Sequence, residues 1–357
     1  MAIAAAVHPE FYDLFSTAQV QEIIQSLRCD RTVPFKFFYQ GNLVPHWQAL
    51  NAQQAEANIS SAKADDNFLK RICIQLLQSE RRCDRWNIID IGAANPQLVK
   101  KFVGTFLEND LLNAYIALDI SPDILELSQQ DLTNWFPTLN WQGVQWDFEQ
   151  SAMPGAIISE QAMPQQANHR DASETEAIEN LYLYIGSTFC NVIDRLTVLR
   201  NIAAGLHEDE YLYVSFGVDF KGSKPQDFVV DDHISKPAAL TLLQWLGISA
   251  KDAEILGYFD AEWGGYKTDI RLQADYDIAF ETPTQTEVVS LKADEQINLY
   301  RFFAYHIEAD TSAPQIFADF RAAGLDIVSY RIEPLLSRVM LVCKPCYPRK
   351  VVKKTHI

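Results

Sequence analysis

Through the middle of the chain, short and almost wholly apolar runs alternate with stretches of helical period: Asn87–Ile91, Tyr115–Ile120, Val144–Phe148, Leu181–Ile185 and Tyr211–Val218. Runs that are apolar at every position belong to strands buried on both faces, so the pattern predicts a parallel sheet covered by helices. Ahead of this repeat, Phe11–Leu27 reads as an amphipathic helix and Val33–Leu50 as an irregular aromatic stretch. Asp65–Glu80 reads as a helix with Phe68, Ile72, Leu76 and Leu77 on one face. Ser121 and Pro122 mark the N-cap and first position of the helix after the second strand.

Near the end, Ala313–Ala323 is a predicted helix stopped by Gly324. The strand-like runs Leu325–Ile332 and Ser337–Val342 follow it, joined by a turn at Pro334. A terminal hairpin after a series of βα units departs from a plain dinucleotide-binding sheet. It fits the seven-stranded, Rossmann-like α/β sheet of class I methyltransferases, in which an antiparallel last strand is inserted beside its predecessor.

Two regions interrupt the repeat. Ser151–Asn180 is rich in Ala, Gln, Glu and Ser and reads as a loop insertion. Lys221–Asp294 carries a helical piece near Ala238–Leu246 and alternating runs at Thr268–Leu272 and Tyr276–Phe280, as in a small α+β substrate lobe. The expected division is 1–65 as the N-terminal helical part of that lobe, 66–220 as the core with the 151–180 insertion, 221–299 as the inserted lobe, 300–347 as a return to the core sheet, and 348–357 as a basic tail.

A length of 357 residues suits one large core with a smaller lobe. The net charge of −17 repels a nucleic-acid backbone or an anionic membrane surface, so neither is an expected partner. The apolar start at Met1–Val7 lacks the basic flank and length of a signal peptide, no run is long enough for a membrane span, and a cytoplasmic location is expected. The C-x-x-C pair Cys343 and Cys346 has no two further ligands nearby, and no metal is expected.

Candidate chemistry sits at the strand ends. Asp90-Ile91-Gly92 closes the first strand, Asp119 the second, 27 positions after Gly92, and Asp147 the third. A sulfonium cofactor at the carboxyl ends of a parallel sheet needs a glycine for close approach, an acid for the two ribose hydroxyls and a polar group for the adenine. These residues supply that set. Gly92-Ala93-Ala94-Asn95-Pro96 holds too few glycines for a nicotinamide pyrophosphate fingerprint, which disfavours an oxidoreductase.

The chain resembles the histidine Nα-methyltransferase family of ergothioneine biosynthesis, which includes fungal N-methyltransferases of prenylated tryptophan. The likeness rests on Val33-Pro-Phe-Lys-Phe-Phe-Tyr39, Ile89-Asp-Ile-Gly92, Leu118-Asp-Ile-Ser121, Asp147-Phe-Glu149, Ile185-Gly-Ser-Thr-Phe-Cys-Asn191 and Gly217-Val-Asp219. It implies S-adenosylmethionine as cofactor, held by Gly92, Asp119, Ile120, Asp147, Phe148 and Gly186. It places Tyr39 and Asn191 at the methyl-transfer site, with Tyr300 and Phe302 lining the substrate pocket.

The departures from that family carry as much information. Its second glycine and lysine are replaced by Ala94 and Leu98, the glycine before the third-strand acid by Trp146, and its aromatic-Asp-Asp by Val230-Asp231-Asp232. Where the histidine enzymes carry a Glu and a Ser against the imidazole, this chain has Tyr300 and Phe302. An aromatic lining does not discriminate as buried polar partners do. The expected reaction is therefore N-methylation of a small amino-acid-like or aromatic amine other than histidine. O- or C-methylation of a small natural product, and a non-catalytic protein on the same fold, stand as alternatives.

Overall fold

The computed structural model describes residues 1–47, 49, 60–78, 83–94, 96–155, 177–186, 188–220, 235–260, 265–303, 305–307 and 313–346. Most of the Ser151–Asn180 insertion, the Val230-Asp231-Asp232 motif and the basic tail lie outside these residues.

The chain opens with a short strand, β1 (Ile3–Ala6), and two helices, α1 (Pro9–Leu14) and α2 (Thr17–Cys29). Periodicity alone merges these helices into Phe11–Leu27; Ser16 separates them. Its hydroxyl accepts from the Gln19 N–H while the Gln19 side chain accepts from the Ser16 N–H, a reciprocal cap that starts α2 afresh. Short 3₁₀ turns at Phe35–Tyr39 and Gly41–Leu43 lead towards α3 (Ser60–Gln78).

Alternating units follow: β2 (Arg85–Ile91), α4 (Pro96–Glu108), β3 (Leu112–Asp119), α5 (Pro122–Trp135), β4 (Trp141–Gln145), β5 (Ile178–Ile185), α6 (Thr188–Asn191), α7 (Arg195–Ala203) and β6 (Tyr211–Phe220). The inserted part comprises α8 (Ser235–Trp245), β7 (Ala253–Asp260), β8 (Gly265–Leu272), β9 (Tyr276–Glu281), β10 (Thr286–Leu291) and β11 (Gln296–Phe303). The chain returns through β12 (Tyr305–Ile307), α9 (Pro314–Ala322), β13 (Leu325–Glu333) and β14 (Arg338–Pro345).

The main sheet runs β4-β3-β2-β5-β6-β14-β13, with β12 pairing the end of β6. Neighbours from β4 to β6 are parallel, whereas β14 lies antiparallel to both β6 and β13. The last hairpin is thus wedged in with its second strand nearest the core, the arrangement of a class I methyltransferase sheet. The central strands are buried along nearly their whole length because cores pack on both faces, one around Ile116, Tyr184 and Phe216, the other around Tyr115, Leu183 and Phe106.

One strand boundary differs from the sequence reading. β4 ends at Gln145, so Asp147 and Phe148 lie beyond it and not at its tip. The cause is local: Asp147 Oδ1 accepts the Glu149 N–H at 3.0 Å and its carbonyl accepts from Gln150 and Ser151. The short side chain turns the backbone back on itself and stops the strand.

A third core belongs to the lobe. Phe11, Phe15, Phe38, Trp245, Phe280 and Leu299 pack together, so the N-terminal helices share one interior with the inserted strands. β1 adds a parallel strand to β9, with Ile3 opposite Tyr276, and α8 stops against it at Gly247. Gly247 has φ +66, and a Cβ there would stand 2.5 Å from the Ala6 carbonyl oxygen, so the close approach requires glycine. Among the described residues no helix is long and apolar enough to cross a membrane.

Candidate functional site

The carboxyl ends of the parallel strands are stitched to one another by backbone hydrogen bonds. Gly92, just past β2, takes φ +70 and donates its N–H to the Leu118 carbonyl at 2.8 Å. At the tip of β3, the Asp119 carbonyl accepts the Trp146 N–H at 2.8 Å, and beyond β5 the Gly186 N–H reaches Ser215 of β6 at 3.0 Å. Neighbouring tips therefore stand one hydrogen bond apart. A Cβ on Gly92 would meet the Thr188 side chain at 3.5 Å, which sets this turn directly against α6.

Asp119 is buried, 5% exposed, and its Oδ1 accepts the Ser121 N–H at 2.9 Å. Burial raises its ionisation to about 7; the Ser121 and Ile120 amides pull it down and the charge of Asp90 pushes it up. Ile120 is buried beside it, with its carbonyl held by Gln145 Nε2 at 3.0 Å. Asp90, also raised to about 7 by burial, accepts from the Tyr115 hydroxyl and serves the interior of the sheet.

Asp147 is more committed than its place in the sequence implies. With Oδ1 on the Glu149 N–H, its Oδ2 lies 2.7 Å from Lys36 Nζ, which also stands 2.7 Å from Glu22. The Lys36 side chain is 5% exposed. Burial alone would lower its pKa, but the charges of Asp147 and Glu149 and the hydrogen bonds to Asp147 and Glu22 carry it above the ordinary value. Glu149 is raised to about 7 by burial, against the pull of Lys36 and the Ile193 amide and with the push of Asp147 and Glu22. Phe148 is buried, edge-on to Trp146 and tilted against Tyr184.

Tyr39 and Asn191 meet across the lobe boundary: Asn191 Nδ2 donates to the Tyr39 hydroxyl at 3.3 Å. The Tyr39 ring stacks on Trp47 with centroids 4.6 Å apart. Burial raises the Tyr39 pKa, Asn191 lowers it, and the charges of Asp119 and Glu149 raise it further, so this hydroxyl is electrostatically linked to the strand tips. Asn191 Oδ1, Tyr184 Oη and Gln40 Nε2 are among the buried polar atoms that have no hydrogen-bond partner within the described residues.

Gly186 adopts φ +117, and its carbonyl accepts from Arg338 Nη1 at 3.4 Å. Arg338 is itself held by the fully buried Asp65, which also accepts from Ser215. The last hairpin and α3 thus fix the loop that leads into α6. Among the substrate-lining expectations, Phe302 is half-buried, with its ring 3.5 Å from a Cβ built on Gly217, in the main-sheet core. No described contact brings it to Tyr39. Tyr300 lies opposite Thr268 at an irregularity of β11, a strand that packs against α6; its side chain lies outside the described part.

Sequence reading misses Lys36, Glu22, Gln40, Tyr184 and the Asp65–Arg338 pair. Lys36 carries a signal, as a lone cation in the aromatic run Phe35–Tyr39. The departures from the family pattern have structural fillings. Leu98 Cδ1 stands 3.8 Å from a Cβ built on Gly186, and Trp146 turns into the core, with Nε1 on the Ser151 carbonyl at 3.1 Å. Among the described residues no group of three His, Cys, Asp or Glu is placed to hold a metal.

Several solved structures resemble the chain at low identity. A S-adenosylmethionine-dependent methyltransferase from Clostridium acetobutylicum shares 9% identity over 85% of this chain and 99% of its own, with a TM-score of 0.40. The CcbJ methyltransferase from Streptomyces caelestis shares 9% over 79% of this chain and 90% of its own, TM-score 0.36. The 1,6-didemethyltoxoflavin-N1-methyltransferase of Burkholderia thailandensis shares 13% over 85% of each chain, TM-score 0.37. Comparison with curated proteins gives no match. The family model for histidine-specific, S-adenosylmethionine-dependent methyltransferases matches residues 19–230. That match spans more than half of the 357 residues, and the chain belongs to this family of S-adenosylmethionine-dependent methyltransferases.

Proposed function

We propose that the enzyme methylates a nitrogen of a small amino-acid-like or aromatic amine other than histidine. S-adenosylmethionine supplies an electrophilic methyl group, and Gly92, Asp119, Ile120, Asp147, Phe148 and Gly186 are the residues that would hold it. They fit such a group: a glycine in the left-handed region leaves room for close approach, and a buried acid ionising near 7 gains from hydroxyl donors. Asp147 fits less freely, since each of its oxygens already accepts one hydrogen bond.

The observation that carries the reading is the Tyr39–Asn191 pair. Asn191 gives its Nδ2 hydrogen to Tyr39 and keeps a buried Oδ1 without a partner. Buried acceptors are rarely left open, and an amine N–H satisfies this one. The stacked Tyr39 and Trp47 rings offer an apolar wall beside it, which suits an aromatic or alkyl body. Holding the nitrogen on Asn191 Oδ1 fixes its lone pair relative to the strand tips, and such alignment is worth up to roughly 7–11 kcal/mol in well-oriented systems.

The test is transfer from methyl-labelled cofactor to tryptamine, L-tryptophan, L-phenylalanine and L-histidine. Label on the nitrogen of an aromatic amine, with histidine unlabelled, is the expected result. Efficient formation of the histidine betaine would overturn the substrate reading, and label on oxygen or carbon alone would overturn N-methylation.

A further inference from the structure

We propose that Lys36 is a positioning residue for methyl transfer: by holding Asp147 it sets the turn that presents Tyr39 to Asn191, so that the cofactor site and the acceptor site are positioned together. This rests on the reading of Asp147 as a cofactor contact and of Tyr39 and Asn191 as the acceptor site.

The geometry lies in one short turn. Phe35–Tyr39 is a 3₁₀ helix of five residues whose side chains are all buried. In such a helix side chains three apart eclipse one another, so Lys36 and Tyr39 leave the turn on one side and Phe35 and Phe38 on another. The first pair reaches the main sheet. Lys36 Nζ stands 2.7 Å from Asp147 Oδ2, on the loop after β4, and the Tyr39 hydroxyl accepts from Asn191 Nδ2 at 3.3 Å, on the helix after β5. The second pair stays in the lobe: the Phe35 and Phe38 rings lie 5.7 Å apart, and Phe38 stacks on Trp245 at 5.6 Å.

The turn is also fixed where it begins. Pro34 precedes it, and the Val33 N–H donates to the Asn298 carbonyl of β11 at 3.0 Å. A turn so short and so packed moves as a unit, and a shift at Lys36 is a shift at Tyr39. Glu22, 2.7 Å from the ammonium and on the same lobe, keeps Lys36 aimed at Asp147. A carboxylate offers about four lone-pair sites. Asp147 has given one to the Glu149 N–H and one to Lys36, which orients the others for a cofactor donor. Filling them favours the Lys36 contact, and through it the placement of Tyr39; by linkage the coupling runs in both directions.

Trp47 reports on the turn, since its ring stacks on Tyr39 at 4.6 Å and its Nε1 donates to the Phe38 carbonyl at 3.0 Å. The experiment labels the protein with 5-fluorotryptophan, assigns the Trp47 resonance by Trp47→Phe, and titrates with S-adenosylhomocysteine. In wild type the Trp47 resonance is expected to shift with the midpoint that calorimetry gives, and Lys36→Arg to keep that shift in part. Lys36→Met/Glu22→Gln removes the cation without stranding Glu22, so that a fold with Lys36 absent is tested. There the Trp47 resonance should stay in place at saturating S-adenosylhomocysteine, while kcat falls by about tenfold or more and KM for the amine changes less. A Trp47 shift in this variant equal to that of wild type, no shift in wild type, or full kcat in the variant overturns the assignment. Failure of wild type to methylate any of the four amines named above overturns the amine reading, and the fluorine titration still decides whether Lys36 ties Asp147 to Tyr39.

Discussion

The Lys36 ammonium stands 2.7 Å from the Asp147 carboxylate, and through that contact the lobe grips the loop that follows the third parallel strand. Glu22 on α2 completes the grip from the far side at 2.7 Å. One cation therefore serves two carboxylates and lies in the field of a third, Glu149. Replacing it as Lys36→Met strands all three. Loss of one member of a buried pair costs about 3–5 kcal/mol, and the lower end applies because Glu22 and Asp147 keep some contact with water. The expected outcome is a clear fall in melting temperature and weaker binding of S-adenosylhomocysteine, both partly recovered in Lys36→Met/Glu22→Gln. Unchanged melting would show that the cluster contributes little.

The sheet is legible in the sequence because its signal is physically direct. Strands such as Leu112–Asp119 are buried at nearly every position, and a short run apolar throughout fits little besides a strand covered on both faces. The wedged final hairpin is legible for a similar reason, through Gly324 and the turn at Pro334. The division of Phe11–Leu27 into two helices is hidden, because a break made by one hydroxyl and one amide leaves the hydrophobic period intact. The position of Asp147 beyond the strand is hidden too, because side-chain capping of a turn has no period at all. Long-range pairs are out of reach. Lys36 and Asp147 are 111 positions apart, and nothing local in either segment indicates the other.

Gly92→Ala isolates a backbone effect. At φ +70 an alanine is strained, while its methyl would meet Thr188 at an ordinary 3.5 Å. The cost is therefore conformational and not steric, about 1–2 kcal/mol. A matching loss of stability by denaturant titration is expected, with several-fold weaker S-adenosylhomocysteine binding by calorimetry. A stability loss far above this range would mean that the turn is held by contacts other than those seen.

Asn191→Ala and Tyr39→Phe separate the two halves of the pair. Asn191→Ala removes both the hydrogen donated to Tyr39 and the open Oδ1, so aromatic-amine turnover should fall by about 10²-fold or more, equivalent to roughly 3 kcal/mol. Tyr39→Phe keeps the stack on Trp47 and the Asn191 oxygen, and its loss should be about tenfold. Cofactor-product affinity should hold in both. Equal losses in the two variants would contradict a separate role for the Asn191 oxygen.

Acids whose burial outweighs the pull of any neighbouring charge give the protein an unusual dependence on pH. Asp90, Asp119 and Glu149 ionise near 7 in the folded chain, raised in each case chiefly by burial, against about 4 for free carboxyls. Between those values the folded chain holds protons that the unfolded chain has released. The contribution of these groups to stability is thus fully present below about pH 4 and is lost as pH rises through about 7, the reverse of the usual salt-bridged carboxylate. The ligand-free protein should melt at a higher temperature at pH 5.5 than at pH 8, and Asp119→Asn should flatten the difference. Hydroxyl donors on Asp119 favour its charged form, so binding of S-adenosylhomocysteine near pH 6.5 should expel a proton. Calorimetry in two buffers of different ionisation enthalpy reads that proton directly. Heats independent of the buffer, or a release that persists in Asp119→Asn, would remove Asp119 from the cofactor site and make its burial a matter of sheet packing alone.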